Sequence, residues 1–94
     1  MDKKRFILVA IVQEISDVIQ IRRTLKPDLF KRVLTLMTED EQILYPEVRN
    51  SGLKIMEREG IEISSKVEIE YTFQGTEKDN KKYNNILIQS IKRI

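Results

Sequence analysis

Arg22, Arg23, Lys26, Lys31 and Arg32 fall within eleven residues of one another, and Lys78, Lys81 and Lys82 fall within five. Ammonium and guanidinium groups at this density hold anions. An aromatic side chain lies in or beside each cluster, Phe30 in the first and Tyr83 in the second, and offers a flat face for stacking. Between the clusters stand Glu39, Asp40 and Glu41 and a series of glutamates from Glu57 to Glu70. The formal charge is +4 over residues 1–34, −5 over 35–70 and +3 over 71–94, so the total of +2 hides a polarised chain. A local positive potential recruits anions even when the whole molecule is nearly neutral.

Catalysis is hard to build from the same residues. The chain has no His to act as a base and no Cys, and Ser16, Ser51, Ser64, Ser65 and Ser90 sit in no nucleophile elbow and beside no Lys motif. The glycines are Gly52, Gly60 and Gly75, too far apart for a phosphate-cradling loop. Glu68 and Glu70 stand at i, i+2, with Glu57, Glu59 and Glu62 nearby, but no His or Cys joins them as a metal ligand. Alternation with Val67 and Ile69 already accounts for two glutamates facing water. The expectation is a binding protein, not an enzyme, with no cofactor and no metal.

The elements that must position the cations can be read from periodicity. At 94 residues, 40% of them hydrophobic, one domain with a single modest core is expected, burying roughly 60 to 65% of its unfolded surface. Phe6 to Ile21 is rich in β-branched residues and contains no Gly or Pro. It is interrupted by Gln13, Glu14, Ser16 and Asp17, which predicts one long strand bent or bulged in its middle. Pro27-Asp28 supplies turn chemistry, and Lys31 to Thr38 then alternates, with Arg32, Leu34 and Leu36 on one side and Lys31, Val33 and Thr35 on the other. A third strand is expected over Gln42 to Arg49, where Pro46 implies an edge position or the strand's end. Asn50 or Ser51 is placed to cap a short helix over residues 51–59, and Gly60 stands where a left-handed stop belongs. Val67, Ile69, Tyr71 and Phe73 alternate with polar residues in a fourth, half-buried strand, which puts Tyr71 and Phe73 in the core. Gly75 to Lys82 reads as a polar loop ending that strand, and Asn84 to Ile91 as the fifth.

Lys3, Lys4 and Arg5 followed by the apolar run Phe6 to Val12 have the outline of a secretory leader. Seven apolar residues are at the bottom of the usual range, however, and no small-residue cleavage site follows. The run is also far short of the roughly 20 residues that span a bilayer. The expectation is no leader and no membrane association. The absence of cysteine is compatible with a reducing, cytoplasmic location.

Strand, strand, strand, short helix, strand, strand, with a long bent first strand and basic loops after the first and fourth, resembles the oligonucleotide-binding (OB) fold across essentially the whole chain. The stretches Ile15 to Gln20, Phe30 to Leu36 and Thr38 to Gln42, with Tyr45-Pro46, are similar in pattern to small bacterial single-stranded-DNA-binding-protein-like domains. The chain departs from that pattern in having no Gly before residue 52 to bend the first strand, no Trp, and no acidic Gly-rich tail after Ile94. The resemblance implies a mainly β protein, a five-stranded Greek-key barrel spanning residues 1–94 with one short helix between its third and fourth strands.

An OB barrel binds across its second and third strands between the two loops. The resemblance therefore implies a largely sequence-tolerant binder of single-stranded DNA or RNA. The residues expected to carry it are Arg22, Arg23, Lys26, Phe30, Lys31 and Arg32 at one loop, and Lys78, Lys81, Lys82 and Tyr83 at the other, all at one rim of the barrel. Tyr45 is a weaker stacking candidate, and the glutamates are expected on the side away from the ligand. OB barrels also dock proteins, so an interaction or assembly module is the alternative. In the first strand Phe6, Leu8, Ala10 and Val12 project to one face and Ile7, Val9 and Ile11 to the other. A second copy covering Ile7, Val9 and Ile11 would make a homo-oligomer, most simply a homodimer.

Overall fold

The chain turns back on itself through its first strand. The computed structural model describes residues 4–94, and Lys3 of the basic N-terminal cluster lies outside them. Strand β1, Phe6–Ile15, pairs antiparallel with two neighbours in succession. Phe6 to Ile11 lie along β6 (Lys66–Lys78), and Ala10 to Ile15 lie along β3 (Leu29–Thr38). The change of partner is accompanied by a bulge at Gln13, where the register steps from Val12 opposite Leu36 to Glu14 opposite Thr35. The expected bend is thus present without glycine. A bulge adds a residue to one strand and sharpens its twist, and any side chain can occupy it.

The long first strand is nevertheless not continuous. Residues 16–18 leave the ladder, and the chain resumes as β2, Ile19–Ile21, on the same neighbour β3. Ser16 holds the break closed. Its N–H donates to the Val33 carbonyl at 3.0 Å, its hydroxyl accepts the Val33 N–H at 2.8 Å, and its own carbonyl accepts Arg32 Nη1 at 2.6 Å.

The expected third strand is divided by Tyr45-Pro46 into β4, Ile43–Leu44, and β5, Glu47–Arg49, both against β3. Pro46 marks a strand's end but not an edge, because β5 lies between β3 and β7 (Lys81–Arg93). The Pro46 carbonyl still accepts the Leu34 N–H at 2.9 Å. Helix α1, Ser51–Glu59, follows directly and ends at Gly60 with φ 65°, the left-handed stop the sequence indicates. Its start differs from expectation. Asn50 makes no side-chain cap, because its Oδ1 accepts the Phe30 N–H at 3.2 Å and so fastens the helix to β3.

β6 and β7 are longer than their hydrophobic pattern. The polar stretch Gly75 to Lys82 is not a loop, since pairing runs from Val67 opposite Arg93 to Lys78 opposite Lys81, with Asp79-Asn80 alone making the turn. Both turn residues have positive φ, 52° and 64°, which gives the tight turn whose twist matches a hairpin. Polarity ends the alternation because nothing packs on the projecting hairpin, while the backbone ladder continues regardless.

The sheet order β1-β6-β7-β5-β3-β2, closed by β1 against β3, makes the Greek-key barrel of five main strands, and β5 and β7 run parallel. Ala10, Val12, Leu34, Leu36, Val48, Val67, Ile69 and Ile91 fill it, and Met56 of α1 caps its lower end. Tyr71 is half-buried against this core. Phe73 is not core: it is 51% exposed, because β1 ends opposite Tyr71 and nothing covers the next inward position of β6. Among the described residues no helix is long and apolar enough to cross a membrane.

Leu36 is fully buried between the β1 and β4 pairings. Leu36→Ala should lower unfolding stability by about 2 to 5 kcal/mol through lost burial plus a cavity, read as a shift of the urea midpoint. A loss under about 1 kcal/mol would place the core elsewhere.

Candidate nucleic-acid interface

Paired residues on neighbouring strands share a face of the sheet, and faces alternate along each strand. On the β6/β7 hairpin the pairs Lys78 with Lys81, Thr76 with Tyr83, Gln74 with Asn85 and Thr72 with Leu87 therefore lie on one face. Leu87 is opposite Glu47 of β5, Glu47 opposite Val33 of β3, and Arg49 opposite Lys31. The face is thus continuous from the hairpin tip across β7 and β5 to β3. It is the outside of the barrel, because Val48, Leu34 and Leu36 alternate to the inside.

At the centre of this face a carboxylate is held by two cations. Glu47 Oε1 accepts Lys31 Nζ at 3.0 Å and Arg49 Nη2 at 3.1 Å, and Arg49 Nη1 reaches across β7 to Gln74 Oε1 at 3.4 Å. Glu47 is the sole carboxylate that β3, β5 and β7 place on this face, and its charge is more than matched. Tyr83 stands further out on the hairpin, 48% exposed, beside Lys81. Tyr45 is more exposed still, at the break between β4 and β5.

The other site candidates separate from this face. Arg32 alternates inward, opposite Val48, and lines a cleft of about 380 Å³ with Ile15, Val18 and Leu53 beside the helix. Phe30 shares that side of β3 and is 41% exposed, with its backbone tied to Asn50. Lys82 is opposite Glu77 on the far face of the hairpin. Arg23 Nε donates to the Pro27 carbonyl at 2.8 Å and shapes the 22–28 loop from within. Arg22, Lys26, Lys78, Lys81 and Lys82 are exposed and make no ion pair with any described residue.

The two clusters do not share a rim. β3 begins beside Arg49 at the end of β5, and β5 runs parallel to β7, so the 22–28 loop lies at the strand end toward Arg93. The hairpin tip lies the other way, six residues before Leu87, or about 20 Å at 3.3 Å per residue. The loops flank the face from its two ends. Hydrophobic periodicity cannot show this, because it gives each strand's inward side but not the register between strands.

No protein-family model matches the chain, and no curated protein matches it in sequence. Solved structures do match. Over 99% of this chain and 97% of its own length, a yeast (S. cerevisiae) mitochondrial single-stranded DNA binding protein, Rim1, superposes with a TM-score of 0.65 at 11% identity. A second crystal form of Rim1 gives 0.59 at 16% identity over 100% of this chain and 97% of the other. The dimeric N-terminal domain of PriB from Thermoanaerobacter tencongensis gives 0.56 at 15% identity over 96% and 94%. The chain folds as an OB barrel. Its β3 and β5 are the strands across which such barrels bind, and Arg49 joins that face although the sequence reading did not single it out. Lys31 opposite Arg49 is a cross-strand pair, visible only once the register is known.

Glu47→Gln leaves Lys31 and Arg49 facing each other without their common carboxylate. Stability should fall by about 1 to 3 kcal/mol, the range for a charged hydrogen-bond network that loses one member, measured by urea unfolding. An unchanged midpoint would show that the trio does not hold β3 to β5.

Proposed function

We propose that this OB barrel is a non-catalytic, largely sequence-tolerant protein that binds single-stranded DNA or RNA across β3, β5 and β7. The observation that carries the reading is the continuous outer face on which Lys78, Lys81 and Tyr83 stand in line with Arg49 and Lys31. Phosphates need cations spaced along a path, and bases need a flat side chain, each stack contributing roughly 1 to 3 kcal/mol. On this reading Arg22, Arg23 and Lys26 receive the strand at one end, Lys78 and Lys81 at the other, and Tyr83 stacks a base. Lys31 and Arg49, tethered to Glu47, present their remaining donors between them. Phe30 and Lys82 meet the strand at the borders of the face, while Arg32 acts through Ser16, steadying the β1/β2 break beneath the loop. That Rim1 is a single-stranded DNA-binding protein supports the same reading.

Binding should weaken steeply with salt. With about 4 to 6 phosphate contacts, the plot of log affinity for oligo-dT against log salt should have a slope of about −3 to −4, at roughly 0.7 per contact for single strands. Reversing Arg22, Arg23, Lys81 and Lys82 together to Glu should abolish binding while leaving the circular dichroism unchanged. Wild-type indifference to the probe at low salt would remove the proposal.

The outer side of β1 supports a homodimer. Ile7 is 67% exposed, Val9 and Ile11 are partly exposed beside it, and the stripe is bordered by the ion pairs Arg5–Glu70 at 3.3 Å and Lys92–Glu68 at 3.1 Å. Aliphatic side chains left in water forgo roughly 1.5 to 3 kcal/mol each. A second β1 would cover them, and the PriB domain, of the same fold, is dimeric. Ile7→Glu with Val9→Glu should halve the mass measured by light scattering, whereas a monomeric wild type would exclude the interface.

A protein-docking module is the second reading, favoured by β2. It is the edge of the sheet, and Val18, Ile19 and Ile21 are exposed along it, with Leu25 at the loop beyond. A partner that co-purifies, blocks the 22–32 loop and carries no nucleic acid would favour it over the first.

A further inference from the structure

The face of the β6/β7 hairpin turned away from Tyr83 carries an aromatic cluster of its own. Phe73 is half-exposed and lies 5.3 Å from Phe6, edge to face, and 5.7 Å from Tyr71, while the Phe6 and Tyr71 rings stack at 5.6 Å. Lys4 Nζ lies 5.4 Å from the centre of the Phe6 ring, within the distance at which a cation and a ring attract.

The surface beside the cluster is open. The next position on the same face is Gly75, where an added Cβ would come no nearer than 4.0 Å to its nearest neighbour, the Tyr83 carbonyl. Opposite Gly75 is Asn84, and beyond it Lys82 faces Glu77. A shallow depression of about 370 Å³ lies along this stretch of the hairpin, bounded by Gly75, Glu77, Lys82 and Asn84 of this face and by Thr76 and Tyr83 of the other. β1 pairs with β6 no further than Tyr71, so among the described residues no strand other than β7 flanks β6 from Thr72 to the tip.

We propose that Phe6, Tyr71 and Phe73 form a second stacking platform for an unpaired base, with Asn84 offering an amide to the base edge and Lys4 and Lys82 holding the adjoining phosphates. The inference rests on the nucleic-acid reading above and extends it. A strand seated on Tyr83 passes over the free edge of the hairpin and continues on its other face. The hairpin is then a post that the strand wraps, rather than one wall of a groove. Charge favours this occupant over an apolar peptide, because Lys4 stands over the Phe6 ring and Lys82 lies beyond Asn84, opposite the single carboxylate Glu77. Packing on Phe6 and Tyr71 covers half of Phe73 and leaves the other half open to a ligand.

The test uses the full chain, oligo-dT of two lengths and the absence of tryptophan. Phe73→Ala should leave affinity for a short probe of about 5 nucleotides within twofold of wild type. It should remove the gain in affinity, about 5- to 150-fold for one stacked base, that a probe of about 15 nucleotides provides. Phe73→Trp should keep that gain, and its fluorescence should be quenched by the long probe and not by the short one. Wild-type affinity of Phe73→Ala at both lengths would overturn the proposal, as would an unquenched Phe73→Trp. A lowered melting temperature without a change in length dependence would make Phe73 a plug for the barrel mouth and would likewise overturn it. If Tyr83→Ala weakens both probes while the Phe73 variants bind normally, the second platform alone falls. If the wild type binds neither probe, the nucleic-acid reading falls with it.

Discussion

Everything in this barrel depends on β1 being shared between two partners. Ala10 and Ile11 are opposite β6 on one side and β3 on the other, and the strand can serve both because the Gln13 bulge turns it from the first to the second. Closure removes the two edges that an open five-stranded sheet would expose. It also fixes the interior: Val12 meets Leu36, Leu8 meets Ile69 and Ala10 meets Val67, so residues far apart in the chain fill one core. The same alternation leaves Ile7, Val9 and Ile11 outside. A barrel wall wound this tightly cannot bury both faces of its most hydrophobic strand, and the outer stripe follows from closure itself.

The second consequence is the projecting hairpin. Once β1 is committed to β3, it ends beside Tyr71 and cannot accompany β6 to its tip. From Phe73 outward β6 and β7 pair only with each other, and toward the tip both faces of the ribbon meet water. One face continues the outer surface of β5 and β3, with Tyr83 and two lysines. The other continues the interior direction beyond the interior, where Phe73 and Lys82 stand. A side chain can therefore lie on the core side of a strand without being in the core.

That distinction marks the limit of what was legible beforehand. The order of elements, the bend near Gln13, the helix with its Gly60 stop and the two sides of β1 and β3 could be read directly, because each is a local matter of periodicity or backbone preference. The reach of β6 and β7 could not, since Gly75 to Lys82 has the composition of a loop while its ladder is maintained by backbone pairing alone. Alternation alone puts Phe73 in the core, because it reports the side a residue takes and not where its neighbour stops. For the cations, sequence identified the clusters but not their geometry. The ion pairs of Lys31 with Glu47 and of Arg49 with Glu47 depend on pairing between distant segments, whereas the side Arg32 shares with Leu34 and Leu36 follows from alternation.

The separation of the clusters changes what kind of ligand the face suits. Cations gathered at one mouth would favour a compact anion. Here the distance from Leu29 to Lys81 along the strands is about ten residues, or roughly 30 Å, close to the 37 Å length of the whole molecule. Between the ends the central carboxylate is already neutralised by Lys31 and Arg49, so no strong charge of either sign dominates the middle. Glu68 and Glu70 lie on the β1 side, paired with Lys92 and Arg5, away from this path. An extended polyanion held at both ends and stacked at intervals fits such a surface, and no base-specific donor set is needed to explain it. On the proposed reading, long reach, weak central charge and aromatic rather than forked polar contacts would select for chain character over sequence.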